Sequence, residues 1–128
     1  MKATTKGERG HVLIVDDDQA IREILAELLA DEGYAVVVAT NGAEALATLG
    51  DGRRFCVVLL DLMMPVMDGW EFRRRQLQDA SLARTPVIVF SGADNVSRQA
   101  DVLCAQDFLE KPVDVDRLLA CVGRYCAG

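Results

Sequence analysis

The sequence predicts a single α/β domain built on a doubly wound parallel sheet. Five short apolar runs, rich in Val, Ile and Leu, are spread along the 128 residues. Near-continuous runs of this kind are typical of parallel strands covered on both faces. Segments with helical periodicity separate the runs, and no linker, repeat or low-complexity segment interrupts the alternation. Five strand–helix units in one small chain indicate right-handed crossovers and helices on both faces of the sheet.

The predicted strands are short, and turn or helix signals bound each of them. The apolar residues in these strands are nearly uninterrupted, whereas polar and apolar residues would alternate in a sheet with one solvated face. They cover residues 12–15 (VLIV), 34–39 (YAVVVA), 55–60 (FCVVLL), 87–90 (VIVF) and, most briefly, 108–109 (FL).

Between the strands, apolar residues recur with the period of an α-helix. The first helix is predicted to end at Gly33, and a capping box of Asn41 and Glu44 opens the second. Asp68 is the predicted N-cap of a third helix, and Asp114 that of the fifth. The apolar stripes that define the first, fourth and fifth helices are Ile21, Ile24, Leu25, Leu28 and Leu29; Val96, Ala100 and Leu103; and Val115, Leu118, Leu119, Val122 and Cys126.

The composition is that of a globular protein with an acidic surface. Apolar residues make up 51% of the chain and charged residues 27%, and the net charge is −6. This charge argues against a nucleic-acid-binding surface. No apolar run reaches the roughly 20 residues that span a bilayer. We therefore expect a cytoplasmic protein without membrane partners, with residues 1–10 as a flexible tail and residues 11–126 as the folded domain.

The four cysteines give no metal-site pattern. Cys56, Cys104, Cys121 and Cys126 form no CxxC pair, and the lone His11 is far from them in sequence. Zinc is therefore a poor interpretation. We expect reduced thiols, mostly buried as small hydrophobic side chains, as in a cytosolic protein.

Polar residues follow every predicted strand directly. Helix capping explains Thr40 and Asn41 after the second strand, which leaves the polar residues after the other four. Because open parallel sheets bind ligands beyond the carboxyl ends of their strands, these residues are expected to converge on one edge. They are Asp16, Asp17 and Asp18 after the first strand, Asp61 after the third, Ser91 after the fourth, and Glu110 and Lys111 after the fifth.

This set of side chains suits the binding of a phosphoryl group. Crowded carboxylates repel one another unless a cation intervenes, and a donor set made only of oxygens favours Mg²⁺. Lys111 and Ser91 can contact an anion, and the Asp61 carboxylate can form an acyl phosphate. Each signal alone has an ordinary structural explanation, since Asp18 can cap a helix, a Ser-Gly pair often marks a turn, and Lys-Pro often precedes a helix. Their joint placement favours a site.

The motifs resemble the receiver domain of bacterial two-component response regulators, in the chemotaxis-regulator-like superfamily. The stretches "VLIVDDD", "VVLLDLMMPVMDG", "VIVFSG" and "DFLEKP" carry the resemblance, which runs from about His11 to Tyr125. The resemblance implies a flavodoxin-like sheet of order 2-1-3-4-5. It also implies a phosphorylation switch that catalyses only its own phosphorylation and slow dephosphorylation, rather than an enzyme with a separate substrate.

The resemblance assigns a role to each matching position. Asp61 would accept the phosphoryl group from a histidine kinase or a histidine phosphotransfer protein. The face formed by the fourth helix, fifth strand and fifth helix would then control a separate effector, with the chain a stand-alone monomer or weak dimer. The remaining implied roles are Mg²⁺ binding by Asp16, Asp17, Asp61 and the Met63 carbonyl, phosphoryl contacts by Ser91 and Lys111, switching by Ser91 and the Phe108 ring, and a cis Lys111–Pro112 bond.

Several positions depart from the family pattern or carry weaker signals. Cys104–Ala105 stands where Gly-Ala is common, and a left-handed turn costs more without glycine, so we expect a turn of different shape after a shortened fourth helix. The stretch FRRRQ, residues 72–76, is interpreted most simply as a solvated helix face, with a partner-docking patch as the alternative. Trp70 is expected to be partly buried.

Three other functions remain as alternatives. A receiver-like adaptor would act by protein contact without phosphorylation, although the complete set of site residues argues against it. A phosphatase of the haloacid dehalogenase type would use Asp16 and Asp18, but it would leave Asp61 unexplained. A nucleotide-binding flavodoxin-like protein is the weakest alternative, because the sequence has no Gly-rich phosphate loop.

Overall fold

A computed structural model describes residues 9–92 and 95–126, so residues 1–8 of the predicted tail lie outside the described part of the chain. Within these residues, five strands alternate with five helices, as the sequence predicts. In chain order they are β1 (His11–Val15), α1 (Gln19–Asp31), β2 (Ala35–Ala39), α2 (Gly42–Leu49), β3 (Val57–Leu60), α3 (Gly69–Gln78), β4 (Val87–Ser91), α4 (Val96–Val102), β5 (Asp107–Glu110) and α5 (Val115–Tyr125).

The strands form one parallel sheet in the order β2-β1-β3-β4-β5, which confirms the expected topology. Val12 of β1 pairs with Val36 of β2 on one side and with Val57 of β3 on the other. β2 lies on one side of β1, and β3, β4 and β5 follow in turn on the other side, so the strand order reverses between β1 and β3. Sheets of this kind bind ligands at that switch point, just beyond the carboxyl ends of the strands.

Helices cover both faces of the sheet, and alternate residues of each strand face opposite sides. In β1, Leu13 belongs to the core beneath α2, α3 and α4, whereas Ile14 belongs to the core beneath α1 and α5. Both side chains are almost completely buried. This double coverage explains why the strands read as unbroken apolar runs.

The predicted N-caps are present in the structure. Asp18, Asn41, Asp68 and Asp114 each accept a hydrogen bond from backbone N–H groups in the first turn of α1, α2, α3 and α5. These bonds satisfy N–H groups that have no partner within the helix. Among the described residues, no helix is long and apolar enough to cross a membrane.

The turn after α4 is left-handed even though it lacks glycine. Cys104 has φ of 54°. Its N–H donates to the Asp101 carbonyl at 3.1 Å, and the Ala105 N–H donates to the Ala100 carbonyl at 2.9 Å. This pair of bonds is the Schellman arrangement that usually employs glycine. α4 is short, as expected, with 7 residues.

The interpretation of residues 72–76 as a solvated face is wrong for part of the segment. Phe72, Arg73 and Gln76 are buried, with exposures of 0%, 2% and 0%. Only Arg74 and Arg75 lie on the exposed side. The hydrogen bonds of the Arg73 guanidinium explain its burial. It donates to the carbonyls of Leu103 and Cys104 at 3.0 and 2.7 Å and to the Gln76 amide oxygen at 2.7 Å.

The expectation of four reduced cysteines is also wrong. Cys56, just before β3, forms a disulfide with Cys126, which caps α5, and their Cα atoms are 5.2 Å apart. The two residues are separated by 70 positions, and only the folded topology brings them together. Cys104 and Cys121 are free; Cys121 is buried, whereas Cys104 is exposed.

Candidate functional site

The backbone of the sheet positions the polar residues that follow the strands. The hydrogen-bond ladder continues one residue past β1, β3 and β5. The Asp16 N–H donates to the Ala39 carbonyl at 3.1 Å, and the Asp61 N–H donates to the Val15 carbonyl at 2.9 Å. The Lys111 N–H donates to the Ser91 carbonyl at 3.0 Å in the same way. The site residues are thus fixed by a rigid sheet rather than by loops.

Three carboxylates meet at the switch point. Asp16, Asp17 and Asp61 each offer an oxygen, and these oxygens all lie within 4.8 Å of one another. Asp16 and Asp61 are 1% and 5% exposed, whereas Asp17 faces solvent. Like charges at this spacing in a buried edge destabilise one another.

Lys111 provides the positive charge at this site. Its Nζ lies 2.9 Å from Asp16 Oδ2 and 3.5 Å from Asp61 Oδ1. One ammonium group therefore faces two buried carboxylates, and Asp17 adds a third negative charge. The cluster retains an excess of negative charge that a cation can neutralise.

Asp61 is the carboxylate most affected by this arrangement. Burial, followed by the charge of Asp16, raises the pKa of Asp61 to about 6, while Lys111 and a hydrogen bond from the Met63 backbone oppose the shift. At neutral pH the side chain is still mainly ionised and can act as a nucleophile. Its charge is nevertheless poorly stabilised, which is common at functional sites.

Asp16 and Asp18, the first and last residues of the "DDD" stretch, have different surroundings. Asp16 Oδ1 accepts the Asp18 N–H at 2.9 Å, and its carbonyl accepts from the Arg22 guanidinium at 2.9 Å. The Asp18 carboxylate accepts the N–H groups of Ala20 and Ile21 as the α1 cap. Asp16 is therefore oriented toward the cluster, and Asp18 performs the capping role considered for it from the sequence.

Gly69 is a site residue that the sequence reasoning passed over. A Cβ at this position would lie 2.6 Å from the Asp61 carbonyl oxygen and 2.8 Å from Leu62 Cα. Only glycine lets the start of α3 lie this close to the end of β3. The sequence signal is the Gly that directly follows the predicted N-cap Asp68.

The remaining predicted residues lie around this cluster. Ser91 is 1% exposed at the end of β4, and together with Lys111 it lines a cleft of about 330 Å³. Phe108 lies on β5 opposite Val89 and is half-buried against the core beneath α2, α3 and α4. The Lys111–Pro112 peptide bond is cis. The Met63 backbone forms a hydrogen bond with Asp61, and the Met63 side chain is exposed.

A doubly wound sheet with aspartates and a lysine at its switch point is the architecture of a signalling receiver domain. The family model of the response regulator receiver domain matches residues 12–123, and the chain belongs to this family. Members of the family are components of two-component signalling systems.

Individual relatives agree with this assignment. The response regulator MprA of Mycobacterium sp. (strain KMS) is 41% identical over 111 residues, which are 85% of this chain and 47% of that protein. The chain thus spans about half the length of the curated relatives it matches. The Vibrio cholerae chemotaxis protein CheY4 is 31% identical, with a TM-score of 0.80 over 96% of this chain and 99% of that one.

A third comparison supports the fold alone. The receiver domain of a sensor histidine kinase from Pseudomonas aeruginosa PAO1 is 23% identical, with a TM-score of 0.83 over 98% of this chain and 100% of that one. That structure has a magnesium ion coordinated in its active-site cleft.

Proposed function

We propose that this chain is a phosphorylation-activated switch and that Asp61 is its phosphoacceptor. The observation that carries the proposal is the position of the Asp61 carboxylate. It is 5% exposed at the switch point of the sheet, 3.5 Å from the Lys111 ammonium, and its pKa is raised to about 6. The phosphodonor would be a histidine kinase or a histidine phosphotransfer protein, as expected for the family.

The site also fits a divalent cation. Asp16, Asp17 and Asp61 supply only oxygen donors within 4.8 Å of one another, and hard cations such as Mg²⁺ prefer such donors. These side chains, with the Met63 backbone carbonyl, would hold Mg²⁺. When bound, the ion would offset the negative charge of the carboxylates and of the phosphoryl oxygens.

The residues of the chain can be assigned to the transfer itself. A carboxylate oxygen of Asp61 attacks phosphorus, the P–N bond to the donor histidine breaks, and its electron pair stays on the imidazole nitrogen. The products are an acyl phosphate on Asp61 and the free imidazole. Lys111 attracts the phosphoryl oxygens through its charge, and the Ser91 hydroxyl donates to one of them.

The switch follows from the added charge. A phosphoryl group brings about −1.5 to −2 charges into a cluster that is already negative. Movement of Ser91 toward it, with inward movement of the Phe108 ring, would bias a pre-existing two-state equilibrium. The α4–β5–α5 face would transmit the change to a separate effector protein. The receiver domain would comprise residues 11–126, act in the cytoplasm and be a monomer or weak dimer.

The proposal is tested by intact-mass analysis after incubation with Mg²⁺ and acetyl phosphate. The native chain is expected to gain the mass of one phosphoryl group, and Asp61→Asn is expected to gain none. Asp18→Asn is the matched control, because asparagine caps helices as well as aspartate does and the change spares the cluster. Absence of labelling under conditions that label another receiver domain would overturn the proposal and favour the phosphorylation-independent adaptor.

The phosphatase alternative is tested separately. It requires Asp18 as an acid or base, but the Asp18 carboxylate accepts two backbone N–H groups of α1. We expect no turnover of p-nitrophenyl phosphate. Turnover that survives Asp61→Asn and is lost in Asp18→Asn would support the phosphatase instead.

A further inference from the structure

We propose that Cys56 and Cys126 form a reversible redox modification site that fastens α5 to the centre of the sheet. The two half-cystines lie 5.2 Å apart between their Cα atoms and join positions separated by 70 residues. Cys56 precedes β3, which is the middle strand of the sheet, and Cys126 ends α5. This site is independent of the phosphorylation proposed for Asp61.

The thiol pair and the phosphoacceptor lie at opposite ends of the same strand. Cys56 comes before Val57–Leu60 and Asp61 comes after it. Five residues of extended chain span roughly 16 Å. Oxidation or reduction of the pair can therefore change the anchoring of α5 without contact with the carboxylate cluster.

Apolar packing and two side-chain hydrogen bonds hold the last turn of α5 when the disulfide is absent. Val122 is completely buried in the core beneath α1 and α5, and Tyr125 packs against that core. The Tyr125 hydroxyl donates to the Gln106 carbonyl at 3.0 Å, and the Arg124 guanidinium donates to Asp107 at 2.6 Å. Both partners lie at the start of β5, the edge strand, and the Arg124 side chain is 61% exposed. An exposed ion pair of this kind contributes little. The disulfide is a covalent link from this turn to β3, so its reduction loosens the end of α5.

The other two cysteines are poor competitors for the disulfide. Cys121 is buried, and its Sγ lies 3.3 Å from Asp107 Oδ2. Burial and this contact raise the pKa of the Cys121 thiol to about 12, which keeps it protonated and unreactive. Cys104 lies on the far side of the sheet, in the turn after α4, and is exposed. Cys121 therefore serves as a buried internal marker, whereas Cys104 is an exposed thiol that has no partner cysteine in this structure.

The chemistry is thiol–disulfide exchange with a low-molecular-weight disulfide such as oxidised glutathione. The thiolate of one cysteine attacks the glutathione disulfide, and a mixed disulfide forms as one reduced glutathione leaves. The second cysteine then displaces the other glutathione as it loses its proton, so two protein thiols are oxidised and two glutathione thiols are formed. Disulfides are rare in reducing compartments, and those that do form there are usually transient and redox-sensing.

Thiol counting by intact mass tests the pairing. The test uses Cys104→Ser, because oxidised glutathione would block the exposed Cys104 thiol as a mixed disulfide. After treatment with oxidised glutathione, iodoacetamide is expected to add no group to this folded chain, one group in denaturant, at Cys121, and three groups after reduction in denaturant. Three groups in denaturant without reductant would show that the pair does not oxidise and would overturn the proposal.

Thermal unfolding and hydrogen exchange test the effect on α5. Reduction is expected to lower the Tm by on the order of 10 °C, because a long closed loop is released in the unfolded chain. Amide exchange in residues 122–126 should become several-fold faster. Cys56→Ser and Cys126→Ser should match the reduced chain and no longer respond to reductant, whereas Cys104→Ser should retain the full response. A pair that oxidises without any change in Tm or in α5 exchange would also overturn the proposal.

Discussion

Asp61 and Arg73 are two buried charges of opposite sign, and their surroundings stabilise them to different degrees. Asp61 is 5% exposed and Arg73 is 2% exposed, and burial opposes the charged form of both. Around Asp61, the nearby Asp16 adds repulsion. Around Arg73, two carbonyls and one amide oxygen accept its N–H groups. No carboxylate within the described part of the chain pairs with Arg73.

The difference lies in what each charge leaves unsatisfied. A buried polar group costs little once it is fully hydrogen-bonded, and a charge at the carbonyl end of a helix gains from the helix dipole. Each of the three guanidinium nitrogens of Arg73 donates a hydrogen bond, and two of the acceptors are carbonyls at the carboxyl end of α4. Lys111 and the Met63 backbone only partly offset the burial of Asp61 and its repulsion by Asp16, so a bound cation would stabilise this charge. Satisfied charge holds the structure together, and unsatisfied charge marks the site.

The largest predicted effect comes from breaking the satisfied charge. Arg73→Ala should lower the free energy of unfolding by roughly 3 kcal/mol, because it orphans the carbonyls of Leu103 and Cys104 and removes packing. Urea denaturation gives the value. The neighbouring Arg74→Ala, on the exposed side, is the control and should change stability by less than about 0.5 kcal/mol. Equal effects of the two changes would contradict the structural role of Arg73.

The next effect comes from Gly69, which lets α3 begin beside Asp61, the proposed phosphoacceptor. Gly69→Ala should cost roughly 2 kcal/mol, because the added methyl group would lie 2.6 Å from the Asp61 carbonyl oxygen. It should also slow phosphorylation by acetyl phosphate. Gly50→Ala is the matched control, since a Cβ there would meet its nearest atom at an ordinary 3.5 Å. A well-tolerated Gly69→Ala would show that β3 and α3 can separate.

Removing the charge of Asp61 should increase the free energy of unfolding rather than lower it. Asp61→Asn should stabilise the metal-free protein at pH 7 by about 1 to 2 kcal/mol, since it relieves the desolvation and repulsion that raise the pKa of the carboxyl group. The same denaturation assay measures this gain. A loss of stability would mean that the attraction between Asp61 and Lys111 outweighs the repulsion.

The smallest predicted effect is the pH dependence of the stability difference between the native chain and Asp61→Asn. The folded-state pKa of Asp61, about 6, lies above its ordinary value of 3.8. The folded protein therefore binds the proton more tightly, and this contribution to stability is complete below about pH 4 and is lost as the pH rises through 6. Between pH 5 and 7, native stability relative to Asp61→Asn should fall by about 1 kcal/mol without metal. A flat difference would place the pKa near its ordinary value.

The sequence was most informative where local rules decide the outcome. Apolar runs and cap residues predict the elements, and the carboxyl ends of parallel strands must share one edge, which is why Asp16, Asp61 and Lys111 could be grouped. The order of the strands came only from the family resemblance. The burial of Arg73 was not predictable, because its partners are backbone carbonyls, which have no sequence signature. The Cys56–Cys126 pair was not predictable, because the two cysteines are 70 residues apart in sequence and only the fold brings them together.

The contact between α3 and α4 has an optical consequence. Trp70 is the one tryptophan in the sequence, and its indole N–H donates to the Gln99 amide oxygen of α4 at 3.2 Å. The ring is half-buried between these helices and the core. Displacement of α4 would break this bond and admit water to the ring, shifting its emission spectrum. The molecule thus contains its own fluorophore at the boundary of the face proposed to carry the signal, and conformational change can be followed in real time without an attached dye.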